Sequence, residues 1–335
     1  MFSCTRSGCI KEVDIDAKQS ATLSIDLDNL WCYQRSFGIK GWETYPSFLE
    51  IALPRILDFL DQHELRLTVF IVGRDAENCA LQSLLSECSQ RGHEIGNHSY
   101  DHAIDLHDLP KETILADIKR AEVSIQNATG QKPRGFRGPA FGISKAMLEV
   151  LQECDYIYDT SSLPNSLGML ARWYQRTQSA NLKTETTLNN HLYGSLAECW
   201  QPLKPYTLIT NMGRIVELPV STLPLLRLPF HGTYINYLAD RSEFLANIYF
   251  HMAFSLCRTF NITPSFLLHA TDFLGSDDSV DVHYIPGMRK TSQEKIALMS
   301  RIMKRYSQLF EIRPLISQVN HLNVESLKQI VPKFN

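Results

Sequence analysis

Three short segments carry side chains able to hold a metal and move protons. In Asn97-His98-Ser99-Tyr100-Asp101-His102 two histidines stand four residues apart. If the chain turns helically there after a strand, both rings reach one point. Neutral imidazole suits Zn²⁺, whose catalytic sites take three protein ligands and leave one position open. A His pair alone is a weak signal, so a third ligand is required. Ser24-Ile25-Asp26-Leu27-Asp28-Asn29 ends an apolar run in two carboxylates. Strand side chains alternate, so Asp26 and Asp28 face the same way. One can ligate a metal while the other serves as a base; capping the following loop is the structural alternative. Arg137, between Phe136 and Pro139, fits a buried ion pair better than an ordinary surface position.

The elements that must position these residues alternate in type. Thr22–Asp28, Leu67–Val72, His93–Asn97, the stretch around Phe136, Tyr156–Asp159, Ile215–Val220 and Ser265–Ala270 read as strands. Helical periodicity separates them, with Pro110 opening one helix, Gly130 ending it and Ser144 capping the next. Repeated β-then-α units imply parallel strands covered by helices. Asp26, Asp28, His98, Arg137, Asp159 and His269 all fall at strand C-terminal ends, where a βα barrel builds its active site. We expect an N-terminal extension over 1–20, a barrel domain over 21–315 with an insertion at about 160–212, and a helical C-terminal segment over 316–335.

Bulk properties narrow the class. With 335 residues, 44% hydrophobic and 21% charged, the composition is that of an ordinary globular protein. A formal net charge of -3 argues against nucleic-acid binding. Eight scattered cysteines show no CxxC pair and read as buried thiols of a reducing compartment. The first 20 residues lack a secretory apolar core. The longest apolar candidate, Phe244–Phe260, is broken by Asn247, His251 and Arg258, so no transmembrane segment is expected. The expectation is a cytoplasmic enzyme, with the inner membrane face as a peripheral location and a homo-oligomer as an option.

Five segments in order resemble the polysaccharide deacetylases, the NodB-homology or carbohydrate esterase family 4 group. They are Asp26-Leu27-Asp28, His98 to His102, Phe136-Arg137-Gly138-Pro139-Ala140-Phe141-Gly142, Tyr158-Asp159-Thr160-Ser161-Ser162, and Leu267-Leu268-His269-Ala270-Thr271-Asp272. The resemblance implies a distorted (β/α) barrel of about seven strands. It implies Asp26 as general base, Asp28, His98 and His102 as metal ligands, and His269 as the acid protonating the leaving amine. Arg137 would hold Asp26 through a charge-assisted bond; Asp272 would orient His269. An N–H near Phe141 would help stabilise the oxyanion. Pro139, Phe141, Asp159 and Ser161 would line the substrate pocket. Asp-x-Asp in place of adjacent aspartates resembles the subgroup acting on surface glycans, lipid-linked sugars and some non-sugar amides. The Arg-Gly-Pro-Ala-Phe-Gly segment also lacks the Tyr often found there. Glu217–Ser221 and Leu228–Tyr234 resemble a segment of exopolysaccharide-type deacetylases.

The expected function is therefore metal-dependent removal of an N-acyl group, in the first instance N-acetyl, from a sugar in a glycan or carrier-linked saccharide. Alternatives are a hydrolase of a small amide, cyclic imide or ureide, and a non-catalytic glycan-binding protein. The expected metal is one Zn²⁺, with Co²⁺, Ni²⁺ or Fe²⁺ compatible with the same donors. Trp31, soon after the first motif, is nominated to stack on substrate. His107 and His283 need no function. Leu245, Ile248, Met252 and Leu256 read as the buried side of a core helix, with a groove for a lipid carrier as the sharper alternative.

Overall fold

The computed structural model describes residues 18–166, 198–280 and 282–332. Strand β1 (Gln19–Asp26) is the hub, because its alternating residues Ala21, Leu23 and Ile25 are fully buried. It pairs in parallel with β2 (Thr68–Ile71) and β8 (Ser265–His269), and its first half also pairs with β9 (Phe310–Arg313). From β2 the parallel ladder continues through β3 (Glu94–Asn97), β4 (Gly135–Phe136), β5 (Tyr158–Asp159) and β7 (Gly213–Glu217). Ser221, just past β7, meets Ser265 at the start of β8 through two hydrogen bonds, N–H to the Ser265 carbonyl at 3.1 Å and Ser265 N–H to its hydroxyl at 2.6 Å. The curled, parallel-dominated sheet thus brings its two ends together across seven strands, in line with the about seven that the resemblance implies.

Two further strands lie at the edge. β6 (Tyr206–Thr210), within the segment expected as an insertion, runs antiparallel to β7. β10 (Lys328–Ile330) pairs with β6. Of the segment expected to be helical over 316–335, the described part is helical in Leu315–His321 and then extends into β10, whose backbone groups find partners on the free side of β6.

Helices cover the outside: α1 (Leu30–Ser36), α2 (Leu49–Gln62), α3 (Gly73–Ala76), α4 (Cys79–Gln90), α5 (Lys111–Thr129) and α6 (Lys145–Glu153) precede β5. After β7 come α7 (Gly232–Ala239), α8 (Glu243–Thr259), α9 (Ser292–Leu309) and α10 (Leu315–His321). Gly130 ends α5 with φ 76°, the left-handed cap that glycine adopts without steric cost. The Ser144 hydroxyl accepts from Met147 N–H and starts α6 as expected.

Helix α8 corrects the sequence reading. Leu245, Ile248 and Met252 are 55%, 48% and 39% exposed, while Ala246, Phe250, Ala253, Phe254 and Cys257 are buried. The helix carries two apolar stripes, and the one rich in Phe and Ala packs inward, with Phe254 stacked on Tyr306 at 4.9 Å. Cys32, Cys88, Cys154, Cys199 and Cys257 are buried free thiols and Cys79 an exposed one. Among the described residues no helix is long and apolar enough to cross a membrane.

Candidate active site

The C-terminal ends of the parallel strands deliver the reactive groups to one place. Asp26 closes β1, His98 follows β3, Arg137 follows β4 and His269 closes β8 directly beside Asp26 in register. Asp28 sits two residues past the first of these. His98 Nε2 lies 3.1 Å and His102 Nε2 3.0 Å from Asp28 Oδ1. Donors about 2.1 Å from a tetrahedral Zn²⁺ stand roughly 3.4 Å apart, so a small relaxation lets the three side chains share an ion.

Satisfaction of the polar atoms points the same way. Asp28 Oδ1 and both ring nitrogens of His102 are buried without a hydrogen-bond partner, a costly arrangement unless a cation sits between them. His98 Nδ1 is 2.7 Å from the Arg137 carbonyl oxygen, to which it donates, leaving the Nε2 lone pair aimed at Asp28. Burial alone would push the Asp28 carboxyl up, but His102 and His98 outweigh it and hold the group well below the usual carboxylate range. His98 is the converse: burial pulls it down, and Asp26 and Asp28 more than compensate. The donor set of Asp28, His98 and His102 fits one divalent ion.

The backbone reaching His102 is not helical. Ser99 and His102 adopt φ of 64° and 47°, and the segment is a bend. Asp117, from α5, accepts the amides of Tyr100 and Asp101 at 2.8 and 3.3 Å. Asn97 accepts Ser99 N–H, and Ser99 Oγ accepts His102 N–H. A tight, side-chain-capped loop thus does what a helical turn was expected to do.

Beside this cluster lies a second group of polar side chains built on Asp26, Arg137 and His269. Arg137, fully buried, donates to Asp26 Oδ1 at 2.6 Å, to Ser24 Oγ at 3.1 Å, and to the carbonyl and hydroxyl of Thr160 at 3.2 Å each. It also stacks 4.4 Å from the Phe70 ring centre. Asp26 Oδ2 is left facing His269 Nε2 at 3.9 Å.

Comparison with known proteins now has a geometry to meet. The polysaccharide deacetylase family model matches residues 43–158. A crystal structure of a Mycobacterium smegmatis protein named for the polysaccharide deacetylases superposes over 96% of both chains with a TM-score of 0.64 at 16% identity. Residues 43–158 thus resemble the polysaccharide deacetylases in sequence, and the whole chain shares the fold of the Mycobacterium smegmatis protein. Among curated relatives, the peptidoglycan-N-acetylglucosamine deacetylase of Bacillus cereus is 25% identical over 42% of this chain and 46% of its own. The chitooligosaccharide deacetylase of Azorhizobium caulinodans is 31% identical over 30% of this chain and 47% of its own. The chain spans about a third to a half of the length of the curated relatives it matches. The family match contains His98, His102 and Arg137, whereas Asp26, Asp28 and His269 lie outside it.

Several expected pocket residues are placed differently. Trp31 is fully buried, its Nε1–H donating to Asp75 Oδ1 at 3.0 Å, so it packs rather than stacks on substrate. Asp272 does not reach the His269 ring; it turns back to accept the His269 backbone N–H at 2.9 Å and Asn236 Nδ2 at 2.9 Å. Thr233, missed in the sequence, takes the place expected for it, with Oγ1 2.9 Å from His269 Nδ1. The Phe141 amide closes a turn on the Gly138 carbonyl, so that N–H is not open to an oxyanion. Pro139 is buried. Asp159 and Ser161 are buried as well: the Ser161 hydroxyl donates to Asp159 and accepts Gly138 N–H, which props up the Arg137 loop.

Asp159 also pairs in register with Glu217, both fully buried. Burial, then the neighbouring Asp159, pushes Glu217 well above the usual carboxylate range; Asp159 is raised by burial too. Two adjacent buried carboxyls sharing one proton explain this. His231, beside His269 at 5.8 Å between ring centres, is pushed down to about 3 by burial and by His269. The signal for this second layer was the His231-Gly232-Thr233 step. A Cβ at Gly232 would lie 2.3 Å from Asp272 Oδ2, so the glycine lets α7 close on the turn after β8.

Proposed function

We propose that the chain is a metal-dependent hydrolase that removes an N-acetyl group from a sugar in a glycan or carrier-linked saccharide, with Zn²⁺ as the ion. One observation carries the reading: a buried Asp–Arg pair and a histidine flank a metal-ready Asp–His–His cluster at one end of the sheet. The names of the Bacillus and Azorhizobium relatives support a sugar amide as substrate.

Asp28, His98 and His102 would hold the ion, which when bound supplies Lewis-acid polarisation and a lowered pKa for water. Arg137 fixes Asp26 Oδ1, so that Oδ2 is the atom free to take a proton. As water oxygen adds to the amide carbon, its proton passes to Asp26. His269, oriented by Thr233 at Nδ1, gives a proton from Nε2 to the nitrogen as the C–N bond breaks, releasing amine and carboxylate.

The test measures free amine from N-acetylated chitooligosaccharides and from small amides in parallel, with metal content determined on the same samples. Asp26→Asn is expected to keep metal and lose turnover by about 10²–10⁴-fold, while His98→Ala loses both. Full activity in Asp26→Asn overturns the mechanism. Turnover of small amides alone overturns the sugar, and protein that binds no divalent metal points to a glycan-binding role.

A further inference from the structure

A groove of about 660 Å³ runs between the approach to β6, the approach to β8 and the start of β10, at the end of β8 remote from His269. Its volume lies within the roughly 300–1,000 Å³ of small-molecule sites. Pro202, Leu203, Pro205, Phe260, Ile262 and Leu327 form an apolar wall, and Phe260 is 42% exposed in it. Among the described residues the charged side chains lining the groove are all cations: Lys204, Arg227 and Lys328.

Arg227 is the informative one. It is half-buried on a strained turn at φ 56°. Its guanidinium donates at 2.6 Å to the Gln201 carbonyl oxygen and has no carboxylate partner among the described residues. Lys204 and Lys328 likewise lack an acidic partner there, and nearby Glu325 is engaged by Arg214. The remaining donors of this half-buried guanidinium are free to meet an anion, which they bind by charge-assisted hydrogen bonds. Cations at the rim of a continuous apolar wall match one chemistry, a chain with a negative head. A polar anion such as a nucleotide would waste the wall, and a neutral lipid would leave the cations unmatched.

We propose that this groove binds an anionic amphiphile, its acyl chain along Leu203, Phe260 and Leu327 and its head on Arg227, Lys204 and Lys328. The site is separate from the deacylation centre, and its test reads binding rather than turnover.

Calorimetric titration of the metal-loaded protein with decanoate, decanol, decyltrimethylammonium and inorganic phosphate decides it. Decanoate is expected to bind one per chain and to weaken as NaCl is raised. Decanol and inorganic phosphate should each bind about tenfold or more weakly, and the cation not at all. Arg227→Gln should weaken decanoate about tenfold. The Lys204→Gln/Lys328→Gln double variant, both sites exposed, should do the same without touching the turn. Equal binding of decanol and decanoate reduces the groove to an apolar patch and overturns the proposal. So does phosphate binding as tightly without a tail, or decanoate binding unchanged in both variants. Hydrolytic activity that survives in every variant is expected.

Discussion

Replacing Arg137 with methionine tests the core of the site by its stability. The side chain is fully buried and makes four hydrogen bonds, one of them to a buried carboxylate at 2.6 Å. Methionine keeps much of the volume against Phe70 but strands Asp26 without its cation. Breaking one partner of a buried pair costs about 3–5 kcal/mol. Unfolding entropy of ~2.1 cal/mol/K per residue over 335 residues gives ~0.7 kcal/mol/K, so Tm should fall by about 4–7 °C. Differential scanning fluorimetry on metal-stripped protein measures this without interference from bound ions. The decisive arm is the Arg137→Met/Asp26→Asn double variant. If the cost comes from the stranded charge, the double variant recovers part of the loss and departs from additivity by more than 1 kcal/mol. A drop below 1 °C in the single variant, or strict additivity in the double, would refute the reasoning.

Other outcomes follow from the same geometry. Asp28→Asn and His102→Ala should each reduce Zn²⁺ affinity at least about 10–100-fold, read by competition with a chromophoric chelator. Thr233→Val should lower kcat about tenfold with KM little changed and move the acidic or basic limb of the pH–rate profile, because it unhooks the His269 ring; an unchanged profile argues against the role. Trp31→Phe should cost about 1 kcal/mol of stability through the lost bond to Asp75 and leave KM for the sugar unaltered. Glu217 sits above its unfolded pKa, so its contribution to stability is full below the ordinary carboxylate range and fades as pH rises through its folded value. Glu217→Gln should therefore match the native protein near pH 5 and exceed it in Tm at pH 8 to 9.

The clustering of the residues proposed for proton transfer and metal binding is legible because each combines a reactive type with a strand end. Asp26, Asp28, His98, Arg137 and His269 could be placed from local sequence alone, and the alternation of β and α segments supplied the ends. What sequence could not show is which neighbour satisfies which atom. Asp272 was assigned to the His269 ring by chemical analogy, yet a carboxylate three residues on reaches the backbone N–H of its own turn more readily. Thr233 is 36 residues away from His269 and arrives only because Gly232 lets α7 approach. Trp31 and α8 failed for a shared reason. Apolar surface is needed inside and outside a protein, and periodicity does not say which stripe of a doubly apolar helix faces in.

The bond from His98 to Arg137 has an unequal quality. Arg137 holds the proposed base, Asp26, through its guanidinium, but holds the proposed metal ligand, His98, through its peptide oxygen. No substitution deletes a peptide oxygen. Drift at this position can therefore extinguish turnover while the imidazole stays aimed. On the proposed mechanism the two halves of the site are unevenly exposed to mutation, and a lineage relaxing its selection for catalysis would shed the reaction well before it shed the ion.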